Sequence, residues 1–339
     1  MHTLTRNQDP TGTQNLLRFA ALFGLLLLAG CASTPPWPSQ PSAQQRSHES
    51  PLILDNVPFY PQEKFQCGPA SLATMLNTQG LTTNPDTLKD LVYLPGREGS
   101  LQVEMVAGAR SHSLVVYPLR AQIEAVIAEV TAGNPVLVMQ NLRFDWWPQW
   151  HFAVVVGYDS QQQTVILNTD TRQHYPMPYK AFYATWNRAE RWAVVILPPD
   201  QLPATAEALP YLRAAHDLET TGRALAAQQA YQSAERQWPE QPATIMAQGN
   251  LAFDQNRPSA AASHFLRAVE RFPSFADGWN NLSYSLKAKN CPEQARQARA
   301  CAIRLAPGRF TGSAVSNAGR TPTASGECPA LPPCPPAEH

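Results

Sequence analysis

In the stretch Val57-Pro58-Phe59-Tyr60-Pro61-Gln62-Glu63-Lys64-Phe65-Gln66-Cys67-Gly68-Pro69-Ala70-Ser71-Leu72-Ala73-Thr74-Met75-Leu76, the apolar residues Leu72, Met75 and Leu76 recur at helical spacing directly after Cys67. Pro69 falls in the first turn, where its missing N–H costs nothing. A helix is therefore predicted over residues 69–77, with Cys67 at its N-terminus. The helix dipole and the unsatisfied N–H groups of that end favour a thiolate, which is what a nucleophilic cysteine requires. Gly68 leaves room for a substrate carbonyl to approach those N–H groups.

Around this helix, residues 52–199 alternate apolar strands with helical stretches, which predicts an α+β domain with a largely antiparallel sheet. Strands are expected at 114–117, 135–140, 152–158, 164–167 and 192–197, and further helices at 86–92, 101–110 and 121–132. The runs 152–158 and 164–167, joined by Asp159-Ser160-Gln161-Gln162-Gln163, read as a hairpin. A cysteine nucleophile needs a base and a third group that orients the base. His151, which opens the hairpin, is the best candidate base. His48 and His339 fall in polar end segments and His216 and His264 in the C-terminal half, which leaves His112 and His174 as weaker competitors. Asn168 and Asp170 follow the returning strand and are the candidates for orienting the ring.

The pattern of Gln62, Cys67-Gly68-Pro69-Ala70-Ser71 and a His151 strand followed by Gly157-Tyr158-Asp159 resembles papain-like cysteine peptidases. The resemblance is closest to the bacterial branch that cleaves double-glycine leaders. It implies Cys67 as nucleophile, His151 as general base and Gln62 as an oxyanion-hole donor beside the Cys67 N–H. Gln62 stands one residue nearer the cysteine than in papain, so Gln66 is the fallback. The third position reads Asn168-Thr169-Asp170; Asn168 is preferred because a neutral amide suffices to fix the ring, and Asp170 stays open. The aromatic run Phe144-Asp145-Trp146-Trp147-Pro148-Gln149-Trp150 either walls the substrate cleft, with Trp150 beside His151, or caps the sheet.

From Pro210 onward the chain repeats with a period of 34: Pro239, Pro273 and Pro307; Ala234, Ala268 and Ala302; Ala227, Ala261 and Ala295; Tyr211, Ile245 and Trp279. Small residues where two helices cross, a large one in the gap and proline after the second helix describe a helical hairpin used three times. This resembles the tetratricopeptide repeat, and residues 208–307 are expected to form an all-α solenoid whose concave face binds a protein partner. Asn250, Asn280 and Asn281 lie on first helices and either clamp a peptide backbone or are solvated.

The N-terminal segment carries Arg6 and Arg18, an apolar run Phe19–Leu28 and then Ala29-Gly30-Cys31. Ten apolar residues are too few to span a bilayer but fit a signal peptide. Leu28-Ala29-Gly30-Cys31 resembles the bacterial lipobox, which makes residues 1–31 a lipoprotein signal peptide with its lipobox and implies cleavage just before a lipidated Cys31, the new N-terminus. Ala32 is not the aspartate that such lipoproteins use for inner-membrane retention, so attachment to the outer membrane, facing the periplasm, is expected. Residues 32–51 read as a disordered tether and 308–339 as a disordered Pro-rich tail. Five cysteines remain after lipidation, so at least one stays unpaired. Cys291 and Cys301 on one helix are too far apart to bridge, whereas Cys328 and Cys334 in a flexible loop can pair.

With 26 Lys+Arg against 26 Asp+Glu the formal charge is zero, which argues against a nucleic-acid partner. No metal-ligand spacing or phosphate loop is visible, so no metal or cofactor is expected. The whole is similar to bacterial lipoprotein cysteine peptidases with C-terminal repeats: an α+β papain-like cysteine peptidase domain followed by an all-α tetratricopeptide-repeat solenoid. That resemblance implies peptide or protein substrates. The alternatives are a degenerate peptidase fold serving as a binding scaffold for an envelope complex, and thiol chemistry on cell-wall amides.

Overall fold

The computed structural model describes residues 34–38, 51–62, 66–97, 99–310 and 327–336. Two compact units, Met1–Ser39 and Gln40–His339, divide the chain, and every element below belongs to the second. The signal segment with Cys31 and most of the tether lie outside the described residues.

Helix α1 (Cys67–Thr78) is buried along nearly its whole length, from Gly68 to Leu76. Leu72, Met75 and Leu76 are 0% exposed, each such side chain contributing roughly 2 kcal/mol through burial. Helix α2 (Pro85–Val92) begins with the Asn84 side chain accepting from the Thr87 N–H, and places Pro85 in its first turn. Helices α3 (Gln102–Ser111) and α4 (Ile123–Thr131) follow.

The sheet is antiparallel throughout. Its strands are β1 (Leu52–Ile53), β2 (Val115–Pro118), β3 (Val136–Asn141), β4 (Trp150–Asp159), β5 (Thr164–Thr169), β6 (Arg172–Pro178) and β7 (Ala193–Leu197). They run in the order β2-β7-β3-β4-β5-β6, with β1 added to β4. Phe152, Val154 and Val156 of β4 face the core formed with Leu72, Met75 and Leu76 of α1. Between β6 and β7 runs helix α5 (Tyr179–Asn187). The α+β reading therefore holds, with β1, β6 and α5 added to the expected elements, and β5 extends two residues beyond Leu167 to take in Asn168 and Thr169.

The C-terminal half is a helical-repeat array of three hairpins: α6 (Ala208–Thr220) with α7 (Ala224–Gln237), α8 (Pro242–Asp254) with α9 (Pro258–Arg271), and α10 (Ala276–Ala288) with α11 (Pro292–Leu305). The period-34 columns are its packing positions. Ala234, Ala268 and Ala302 are 0% exposed, and Tyr211, Ile245 and Trp279 fill the gaps between helices. Gly249 is the one repeat position where the first helix needs glycine, because a Cβ there would lie 2.4 Å from the Phe265 ring. Asn281 donates to Asn250 and Asn280 to Asn281, so the three asparagines form a ladder across α8 and α10.

Two expectations are corrected at the C-terminus. Cys328 and Cys334 do not pair with each other; Cys328 bridges Cys291 and Cys334 bridges Cys301, while Cys67 stays free. Residues 327–336, read as part of a disordered tail, are thereby pinned to the last hairpin, where Leu331 packs on its core. Composition correctly reports that this segment builds no core of its own, but a crosslink to another core removes the need for one.

Candidate active site

Cys67 is the first residue of α1, and Gln66 before it makes no capping hydrogen bond with its side chain. The first N–H groups of the helix are thus left for another acceptor. Burial pushes the Cys67 thiol above its ordinary pKa; hydrogen bonding at the Phe152 and Gly68 backbone pulls it down, and the negative charge of Asp170 adds to the rise. Desolvation thus outweighs the thiolate-favouring helix terminus expected from the sequence.

His151 is the second residue of β4 and is 7% exposed. Its Nε2 lies 2.7 Å from Thr169 Oγ1 and 3.5 Å from Asp170 Oδ1. Burial lowers the imidazole pKa, Asp170 opposes that, and Arg172 reinforces it. The register explains which of the two sequence candidates reaches the ring. Val154 pairs with Asn168, and alternation along both strands puts Asn168 on the face of Val154, opposite the face shared by His151, Ala153 and Thr169. Asn168 Oδ1 instead accepts from the His174 N–H at 3.0 Å. The preference for Asn168 is therefore corrected in favour of its neighbours Thr169 and Asp170.

Asp170 occupies the turn between β5 and β6 at φ +48°, a conformation that aspartate tolerates. Its Oδ2 accepts from Arg172 at 2.8 Å, and its backbone carbonyl accepts from the Gln62 N–H at 2.8 Å. Gln62 is thereby tied to the same corner. Its side-chain Nε2 donates over long distances to Ser71 Oγ (3.4 Å) and the Phe152 carbonyl (3.5 Å), and its Oε1 is buried without a partner. Ser71 also donates to the Phe152 carbonyl, at 3.3 Å. Helix α1 is thus pinned to β4 at the residue following His151.

Gly68 has a packing role as well. A Cβ on it would lie 2.1 Å from Ser100 Oγ and 2.5 Å from Ser100 Cβ, so glycine is required there for packing against Ser100. Gly68→Ala is expected to cost about 2 kcal/mol through overpacking, and Ser100→Gly in the same chain should restore most of it. An unchanged urea midpoint in the single variant would disprove this account. Trp150 opens β4 and is half-exposed. The aromatic loop before it forms its own groove, lined by Leu142, Arg143, Phe144, Asp145, Trp146, Trp147 and Arg188. Buried Asn141 templates that loop, accepting from the N–H groups of Arg143 and Gln149 and donating to the Phe144 carbonyl. Of the competing histidines, His112 closes α3 with its ring bonded to the Gly108 carbonyl, and His174 has a buried, unpartnered Nε2.

A buried histidine held beside a carboxylate, and a free cysteine at an uncapped helix terminus, both sit in the segment where comparison with known proteins is informative. Residues 54–194 match the Peptidase_C39 like family. The match supports a papain-like peptidase domain for this half and stops short of the repeats. Three solved structures are similar to part of the chain. A candidate C39-like peptidase from Bacillus anthracis is 20% identical, covering 44% of this chain and 98% of its own, with a TM-score of 0.37. A double-glycine-motif protease from an AMS/PCAT transporter, solved with its leader peptide, is also 20% identical, covering 43% of this chain and 95% of its own at a TM-score of 0.34. The peptidase domain of Streptococcus ComA is 18% identical, covering 42% and 98% at 0.34. Among curated proteins none matches the chain.

Proposed function

We propose that the chain is a cysteine peptidase in which Cys67 attacks a peptide carbonyl and His151 moves the proton. The observation that carries this is the free Cys67 at the uncapped start of α1, pinned through Ser71 and Gln62 to the backbone beside a buried, oriented His151, within a segment matching the C39-like family. Because Nε2 of His151 faces Thr169 and Asp170, Nδ1 is the nitrogen left for the thiol. The Cys67 proton passes to Nδ1 as sulfur bonds the carbonyl carbon. The resulting oxyanion is held by the Cys67 N–H, and by Gln62 once its Nε2 releases the long bond to Phe152. The imidazolium then protonates the leaving amine as the C–N bond breaks. Water, deprotonated by His151, cleaves the thioester, and the proton returns to the thiol.

Lipid anchoring at Cys31, attachment to the outer membrane facing the periplasm, and recruitment of a protein partner or substrate through the tetratricopeptide-like repeats complete the proposal. The two disulfides support an exported protein, since the cytosol keeps such bonds reduced. The asparagine ladder across the first helices supports a peptide-binding face.

The test is labelling by a peptide-aldehyde and by iodoacetamide, across pH, for the wild type, Cys67→Ala and His151→Ala. The raised thiol and lowered imidazole make the resting pair neutral near pH 7. Iodoacetamide should therefore react more slowly with Cys67 than with an ordinary thiol of pKa about 8.5, and its rate should still be climbing with pH where that of an ordinary thiol has levelled off. Peptide-aldehyde labelling, in contrast, should be fast near neutrality and depend on both residues. Aldehyde labelling that ignores His151 would leave the binding-scaffold reading.

A further inference from the structure

We propose that Thr169 is the positioning residue of His151, accepting the Nε2–H and so holding the tautomer whose Nδ1 lone pair is free for the Cys67 proton. The inference rests on the cysteine-peptidase reading for its purpose, but on geometry alone for its content.

Thr169 Oγ1 approaches His151 Nε2 to 2.7 Å, and both residues are buried, at 4% and 7% exposure. That is a full-strength hydrogen-bond distance, whereas the 3.5 Å to Asp170 Oδ1 lies at the outer limit of one. The carboxylate is also engaged elsewhere: Oδ2 takes the Arg172 guanidinium and the side chain is 46% exposed, so water and Arg172 share its charge. Asn168, on the opposite face, is bonded to His174. The hydroxyl is therefore the group that fixes the ring, and it does so without placing a charge against it.

A hydroxyl carries one proton and two lone pairs. With Nε2 protonated, oxygen accepts from it and the ring is locked with Nδ1 unprotonated, as a general base must be. Asp170 then acts at longer range, on the imidazolium that forms when the thiol proton arrives. The charged groups acting on His151 are Asp170 from the turn after β5 and Arg172 from β6, and Asp170 acts on Cys67 of α1 as well. The neutral resting pair fits this division, since no closely bonded carboxylate stabilises an imidazolium in advance.

The division separates two kinds of variant. In the full chain with ¹⁵N-labelled histidine, and His151→Gln supplying the assignment, the His151 nitrogen shifts should report the Nε2–H tautomer in the wild type and in Thr169→Ser. Thr169→Val, which keeps the shape and the strand preference, should give a mixture of tautomers and lower His151-dependent aldehyde labelling of Cys67 by about a hundredfold, the scale of a misplaced catalytic group. Thr169→Ser should recover most of that rate. Asp170→Asn should keep the tautomer while shifting the pH profile of labelling. The proposal is overturned if Thr169→Val retains both the wild-type tautomer and rate, or if Asp170→Asn is the variant that scrambles the ring. Because the tautomer is read whether or not Cys67 reacts, a wild type that never labels would sink the peptidase reading and leave the Thr169–His151 measurement standing on its own.

Discussion

Glu129→Ala should cost about 3 kcal/mol and split a single denaturation transition into two. Glu129 lies in the last turn of α4 and is 0% exposed. A carboxylate there has lost its water and faces the negative end of the helix dipole, so on local grounds the position is doubly unfavourable. Four donors compensate: Asn134 Nδ2 at 2.8 Å, the N–H groups of Ala204 at 3.1 Å and Thr205 at 2.7 Å, and Thr205 Oγ1 at 2.6 Å. Three of them belong to the segment that leads from β7 into the repeats. The same segment gives the Glu207 N–H to Tyr117 Oη, which donates to the Thr205 carbonyl, and Asp217 of α6 pairs with Arg110 of α3. Glu129 is thus the buried post to which the linker is tied. Hydrogen bonds to a charged group are worth about 1.5–3 kcal/mol each, and water recovers part of this because Ala204 is exposed and Thr205 half-buried. Glu129→Gln, which keeps one acceptor oxygen and loses the charge, should show about half the effect. Urea denaturation followed by tryptophan fluorescence and by far-ultraviolet circular dichroism measures both. Coincident, unshifted curves for Glu129→Ala would mean that Tyr117 and the Arg110–Asp217 pair hold the halves together without it.

Such a post is invisible in sequence, and the reason applies equally to several other features of the fold. Periodicity identifies elements whose two faces differ, so α1, β4 and the repeat hairpins are readable from Leu72, Met75 and Leu76, from the Phe152–Val156 run and from the alanine columns. Strand β6 offers no such contrast: Arg172-Gln173-His174-Tyr175-Pro176-Met177-Pro178 is mostly exposed along the sheet edge, the place where prolines in a strand are tolerated. Helix α5 does carry a signal, since Tyr179, Phe182 and Trp186 are spaced for one face and all buried. At the site, motif spacing finds Cys67, His151 and the corner around Asp170. It cannot choose between Asn168 and Thr169, because a one-residue shift in strand register exchanges their faces, and threonine carries no chemical flag that would favour it. The packing demand at Gly68 is hidden as well, because it comes from Ser100, about thirty residues away in the chain. Disulfide connectivity is likewise undetermined, as four cysteines allow three pairings.

The pairing found has the largest expected consequence for stability: reducing Cys291–Cys328 and Cys301–Cys334 should destabilise the last helical hairpin by about 7 kcal/mol while leaving the α+β domain intact. The bridges close segments of 37 and 33 residues, and loop-closure entropy assigns about 4 kcal/mol to the first such bridge. They overlap rather than nest, so once one is formed the second closes a shorter circuit through α11 and the short run between Cys328 and Cys334, worth about 3 kcal/mol on the same scale. Little else holds the tail, which has no helix or strand over 327–336 and is attached besides the bridges through Leu331 on the repeat core and Lys289 Nζ on the Glu327 carbonyl. A terminal repeat has one face with no neighbour to bury it; here the crosslinked, proline-rich segment supplies that cover, and its prolines reduce what ordering it costs. Hydrogen exchange under reducing conditions, or in a Cys328→Ser/Cys334→Ser variant, should show α10 and α11 losing protection by several orders of magnitude, with β3, β4 and β7 unchanged. Cys67, outside both bridges, should label at the same rate before and after reduction. If α10 and α11 keep their protection with the tail released, the array is stable by helix packing alone, and the bridges fasten the tail without supporting the repeat.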